Sequence, residues 1–339
     1  MPVKFCFLVL CFSWVDIFPA HSLPFSWAQY SVRSGKIGPA GRKFHAFGFD
    51  VFRQFLVIFG GVGANGTVFN DTWVLDVAAG RWYEAKSGYH RPEGRYGTVY
   101  GMYNGQLIIA TGCDTKRCFD DIWSFNAASF LWTRIQPDGF LRPKPRGHAS
   151  GGMFIIGKSL VVSGGVNLNG DYFSDTLVFD LSRYRWHQVE GWQSVYDPSL
   201  PHPRAFQAST LIDENTMLSF GGCVKHGACP SATSWTFNWQ MNKWKQVKMC
   251  AMARSHAAMA LTSFNGVPYV VLYGGDTKSR QIIASTNKLK DNEVAVYDLK
   301  SSEWSLRLAE GTTSPGNRVG AAFATTGQTL YLFGGEIGG

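Results

Sequence analysis

Apolar residues arrive along this chain in short runs, each cut off by glycine, aspartate or asparagine before a helical period can develop. In the first clear case Leu56, Val57, Ile58 and Phe59 run into Gly60-Gly61, Thr72 to Leu75 run into Asp76, and Trp82 opens another run after a tight turn. Runs of this length, rich in β-branched and aromatic residues and bounded by turn formers, predict strands.

The same phrase returns along the chain. Its second glycines are Gly61, Gly112, Gly165, Gly222, Gly275 and Gly335, spaced by 51, 53, 57, 53 and 60 residues. The residue before each is Gly60, Thr111, Gly164, Gly221, Gly274 and Gly334. An arginine precedes every pair, at Arg42, Arg95, Arg146, Arg204, Arg254 and Arg318. Asp76, Asn126, Asp180, Asn238 and Asp298 close the next apolar run in five copies, and Trp82, Trp132, Trp186, Trp244 and Trp304 each follow by six residues. A constant interval predicts a hairpin whose turn sets its register, and a variable one predicts a loop. The glycine-to-Asp/Asn and Trp-to-Arg intervals are the variable ones. Each unit of about 50 residues therefore predicts four antiparallel strands, which is one propeller blade.

With its glycine pair ending the second strand and its tryptophan on the fourth, this unit resembles the kelch repeat. The resemblance spans Trp27 to Gly335 and implies an all-β propeller of six four-stranded blades. Copy two departs from it with Thr111-Gly112, copy one has Leu75 where an aromatic is usual, and copies two, four and six lack the histidine found at His45, His148 and His256. Trp27 stands 15 residues before Arg42 and reads as an orphan fourth strand, while the last copy stops after its second. Phe25 to Tyr30 is thus expected to close the ring in the last blade, whose third strand is expected to lie beyond Gly339 in a C-terminally truncated propeller, together with any further domain or anchor.

Residues 1–22 read as a separate leader. Lys4 precedes an apolar run from Phe5 to Val15, and Pro19-Ala20-His21-Ser22 provides small residues before a mature start near Leu23. That run is too short to span a bilayer, so no membrane span is expected within the sequence. An exported location follows, secreted or extracellular, with Asn65 and Asn70 as glycosylation acceptors in N-x-T sequons. In an oxidising compartment Cys113 with Cys118 and Cys223 with Cys229 are the natural intraloop disulfides, leaving Cys250 over. A competing zinc reading takes Cys223, His226, Cys229 and Cys250 as four ligands.

The formal charge is +8 and dispersed, apart from Lys278, Arg280, Lys288 and Lys290 in one long loop. A dispersed excess does not make a nucleic-acid groove. His45, His148 and His256 recur just after an arginine, which marks them as structural in each blade. No run of residues matches a metalloprotease helix or a nucleophile elbow, and no catalytic residue, metal or cofactor is assigned. In an up-and-down sheet the loops between strands two and three and the inter-blade connections share one face. That face carries the basic loop and a second loop with Trp192, Tyr196 and His202.

The sequence therefore reads as a noncatalytic, monomeric recognition scaffold for a protein or glycan. A propeller enzyme of the galactose-oxidase kind and a cytosolic kelch substrate adaptor are the alternatives. The similarity to kelch ectodomains of attractin-like proteins fits the first reading.

Overall fold

A computed structural model of the chain describes residues 8–12, 25–32, 38–86, 88, 90–154, 157–189, 199–249, 252–278, 289–310 and 313–337. Among these there is no helix, and hence none long and apolar enough to cross a membrane. The architecture is an all-β propeller.

Five blades are each built from one continuous segment. The first consists of Ala46–Asp50, Phe55–Phe59, Thr72–Asp76 and Arg81–Glu84, numbered outward from the axis. The second starts from Val99–Tyr103, the third from Ser150–Phe154, the fourth from Ala208–Leu211 and the fifth from Ala258–Phe264. The six copies counted in the sequence thus yield five self-contained blades. The last copy supplies only Arg318–Thr325 and Leu330–Ile337, which share a four-stranded sheet with Leu8–Phe12 and Phe25–Gln29.

This composite sheet corrects one expectation. Its third position is filled, by Leu8–Phe12 from the stretch read as a leader. That strand pairs with Phe25–Gln29 over five residues but with Leu330–Ile337 over only three. Trp27 lies in one buried cluster with Phe323, Leu330 and Leu332, so the two ends of the chain do meet.

The constant six-residue interval has a local cause. Oδ1 of Asp76, Asn126, Asp180, Asn238 and Asp298 accepts a backbone N–H two or three residues on. Two residues before each tryptophan, Gly80, Phe130, Tyr184, Asn242 and Ser302 have φ between 50 and 63°. One side-chain cap and one left-handed residue leave the turn no freedom of length.

The glycine pairs join blade to blade. The N–H of Gly61 donates to the carbonyl of Arg95 in the next blade, and the same bond recurs from Gly112, Gly165, Gly222 and Gly275 to the following arginine. Gly335 returns it to Arg42 at 2.9 Å, which completes a circle. A Cβ on Gly274 would lie 2.2 Å from the Arg318 carbonyl oxygen, so the first glycine is needed for close approach as well as for its φ of 68°. Thr111 stands at this place in the second blade with φ 62° and stores backbone strain of roughly 1–3 kcal/mol.

The core lies in layers between successive sheets. Each buried tryptophan there withdraws about 200 Å² from water, a gross gain of roughly 5 kcal/mol. The indole also needs a partner. Trp132 Nε1 donates to Thr72 Oγ1 of the preceding blade at 2.9 Å, Trp244 to Thr176 at 3.1 Å and Trp304 to Ser234 at 3.2 Å. Trp186 faces Ile122 at the equivalent position, and its buried Nε1 has no hydrogen-bond partner among the described residues. At most buried sites Thr is less stable than isosteric Val, because its hydroxyl must be desolvated. Here Ile122→Thr is expected to exceed Ile122→Val by about 1 kcal/mol in urea unfolding, since the hydroxyl meets an orphaned donor. A Val variant as stable as the Thr variant would refute this account of the indole.

Candidate functional site

The two ends of the propeller differ. One carries the loops between second and third strands and the inter-blade connections, together with the arginines and glycine pairs. The other carries the short hairpins between first and second and between third and fourth strands.

At the loop end four of the six repeat arginines, Arg42, Arg95, Arg146 and Arg204, occupy built sockets. Arg42, Arg95 and Arg146 are buried and form paired hydrogen bonds with Asp71, Asp121 and Asp175. Each also donates to the carbonyl of the first residue of its glycine pair, namely Gly60, Thr111 and Gly164. Phe69, Phe119 and Phe173 lie against the three guanidinium groups at 4.2, 3.9 and 4.0 Å. Burial pushes the Asp71 and Asp121 carboxyls up, but hydrogen bonds and charge from the arginines outweigh it and hold both below the usual range. In the fourth blade Arg204 binds the Thr233 hydroxyl instead, and burial pushes the guanidinium down to about 10. These arginines are committed to the scaffold. The aspartates escaped the sequence reading, although Asp-Thr-Trp, Asp-Ile-Trp and Asp-Thr-Leu at 71, 121 and 175 were there to be compared.

Two residues after each arginine the chain reaches the axis. Phe44, Gly97, His148, Phe206, His256 and Gly320 all have positive φ, from 54 to 74°. Each donates its N–H to the carbonyl of the equivalent residue in the preceding blade, at 2.8–3.0 Å, and Phe44 closes the circle on Gly320. The four rings meet across the axis, with centroids 4.4 Å apart for Phe206 and His256 and 4.7 Å for His148 and Phe206. Gly97 and Gly320 make room for them, since a Cβ on either would collide with His148 or Phe44.

The three histidines are therefore not equivalent, which corrects the sequence reading. His45 follows its arginine by three residues and turns into the layer beside Phe47 and Phe333, where both ring nitrogens are buried and have no hydrogen-bond partner among the described residues. His148 and His256 follow by two and sit on the axis. Burial lowers the His45 pKa to about 3, with help from the Arg42 charge; burial and the neighbouring His256 lower His148 to about 3 as well. His148 keeps some accessible surface toward the axial cavity, yet protein atoms surround it closely enough to keep it neutral.

Below this ring of side chains the inner strands enclose a cavity of about 830 Å³. Its walls include Phe49, Val99, Met102, Met153, Leu211 and Leu261, and its mouth lies at the hairpin end beside Val51, Phe52 and Asn104. The cavity thus opens away from the loop face that the sequence reading favoured.

Of the residues proposed for that loop face, His202, Lys278 and Lys290 are exposed. Trp192, Tyr196, Arg280 and Lys288 lie outside the described residues, as does Cys250. Asn65 and Asn70 are both exposed in the long loop of the first blade. Cys113 is bonded to Cys118 and Cys223 to Cys229. The second bond ties up two of the four sulfur and nitrogen groups of the zinc reading as a disulfide. Among the described residues, no three His, Cys, Asp or Glu side chains gather as a metal site.

Residues 56–338 match the profile of the Attractin/LZTR1 beta-propeller. The chain belongs to this family. Within this kelch-type family setting it is similar to an F-box/kelch-repeat protein of Arabidopsis thaliana, 32% identical over 199 residues, which is 54% of this chain and 39% of the relative. It is also similar to Adagio-like protein 3 of Oryza sativa subsp. japonica, 28% identical over 209 residues, 60% of this chain and 31% of the relative. Acyl-CoA-binding domain-containing protein 5 of Arabidopsis thaliana is 30% identical over 173 residues, 50% of this chain and 26% of the relative. The matches thus cover well under half the length of these proteins.

Proposed function

We propose that this Attractin/LZTR1-type propeller is a noncatalytic recognition scaffold that binds a protein partner through its loop face. One observation carries the reading: the two backbone circles hold every blade root in the same geometry, while the loops beside them differ from copy to copy. A rigid frame with divergent loops is suited to recognition. In this reading the composite sheet acts as a sixth blade while residues 1–22 are retained, and in the exported form Phe25–Gln29 and the two strands of the last copy remain to close the ring. The domain is monomeric, and a surface glycan is the other ligand class that exposed His202, Lys278 and Lys290 suit.

An extracellular setting is supported by the apolar N-terminal run and by two intraloop disulfides, a pairing typical of oxidising compartments. Similarity to an F-box/kelch-repeat protein supports the second reading, a cytosolic adaptor that presents partners for modification. N-terminal sequencing after expression in a secreting host separates them. A start near Leu23 with glycan on Asn65 or Asn70 is expected for the exported form, whereas a retained Met1 with both asparagines bare would favour the adaptor. For the binding face, capture from intact cell surfaces should fall at least tenfold when residues 276–292 are replaced by Gly-Ser. Equal capture would remove that loop from the interface.

A further inference from the structure

We infer that the axial cavity is a binding site for a small, neutral aromatic molecule. This site is separate from the loop face and does not rest on the reading given for it. The volume of about 830 Å³ falls among small-molecule pockets, which run from roughly 300 to 1,000 Å³. The shape is that of a pocket with a floor: the rings of Phe44, His148, Phe206 and His256 meet across the axis at one end, and the other end is open.

The lining selects against charge. Among the described residues Asp50 is its one carboxylate, and Arg53 and the Phe52 N–H, both at 3.0 Å, already bind it. Among the described residues no lysine, arginine or glutamate lines the walls, so a charged ligand would lose its hydration without gaining a counter-charge. The walls instead offer the thioethers of Met102 and Met153, and sulfur at the edge of an aromatic ring is a favourable contact.

At the entrance Val51 and Phe52 are 55% and 69% exposed, an apolar lip on the first hairpin that favours entry of an apolar molecule.

Titration with the neutral fluorophore N-phenyl-1-naphthylamine tests the site. Saturable binding at one molecule per chain with a micromolar Kd is expected, together with a blue-shifted emission. Gly152 lines the cavity, and a Cβ there meets only Leu211, at 3.4 Å, so Gly152→Phe should fill the space and weaken binding at least tenfold. Leu261→Phe provides a second obstruction if the first variant does not fold, and an unchanged thermal midpoint identifies a folded variant. Absence of saturable binding, a stoichiometry above one, or undiminished affinity in a folded obstructed variant would each overturn the assignment. Capture by the loop face should be the same in Gly152→Phe and wild type, which keeps this result distinct from the test of partner binding.

Discussion

Asp175→Ala is expected to destabilise the propeller by about 3–5 kcal/mol, the usual cost of leaving a buried charge without its partner. Arg146 is 0% exposed, and its Nη2 donates to Asp175 Oδ2 at 2.8 Å. Its Nε donates to the Lys144 carbonyl at 2.8 Å and its Nη1 to the Gly164 carbonyl at 3.0 Å. The guanidinium therefore ties together the loop entering the third blade and the glycine turn of that blade, and it cannot swing out to water when the carboxylate is lost. The fourth blade shows the milder alternative, because Thr233 holds the corresponding place and still gives Arg204 an acceptor at 2.7 Å. Asp175→Thr is accordingly expected to lose about half as much as Asp175→Ala. Urea unfolding of the three proteins at pH 7 decides the matter. An alanine variant within 1 kcal/mol of wild type would mean that water reaches Arg146, and a threonine variant no better than alanine would mean that the hydroxyl cannot stand in.

The contrast between these two sockets also shows what could be read in advance. Features fixed by neighbouring residues left a clear trace, such as the interval from Asp76 to Trp82, which one side-chain cap and one left-handed residue determine. The glycine pairs were equally legible, because close approach to the next blade's arginine carbonyl excludes a side chain. The partners of the arginines were harder to see, since Asp71, Asp121 and Asp175 lie 26 to 29 residues away across a loop of variable length. His45 was grouped with His148 and His256 because their neighbourhoods look alike, yet a shift of one residue in an extended chain turns a side chain to the other face. Counting from the arginine would have separated them. The axial cavity left almost no signal. Its walls come from inner strands rich in glycine and alanine, such as Ser150–Phe154, whose importance lies in the space they do not fill. The place of Leu8–Phe12 in the composite sheet was hidden for a different reason. An apolar stretch reads the same whether it is removed as a leader or added as a strand.

Mild acid should weaken the fold well before the carboxylates are protonated. In the folded protein burial holds His45 and His148 at about 3, against 6.5 for an ordinary histidine. The native state therefore refuses protons that the unfolded chain accepts below 6.5. The sign follows: full stability is present above that value and is lost as pH falls toward 3. Each histidine contributes about 1.4 kcal/mol per pH unit in that window, so the two together should remove roughly 4 kcal/mol between pH 7 and pH 5. His187, lowered by its own partial burial, acts in the same direction. Asp71 and Asp121, held low by Arg42 and Arg95, add their losses only further down, as pH falls through the ordinary carboxylate range. Urea midpoints at the two pH values measure the effect, and the double variant His45→Leu, His148→Phe assigns it. Leucine at 45 also removes two unpartnered nitrogens from the layer beside Phe333, so this variant should match wild type at pH 7 and exceed it at pH 5. If instead wild type and variant lose stability in parallel, neither ring is kept neutral by the fold, and the closed floor assigned to the axial cavity would have to admit water.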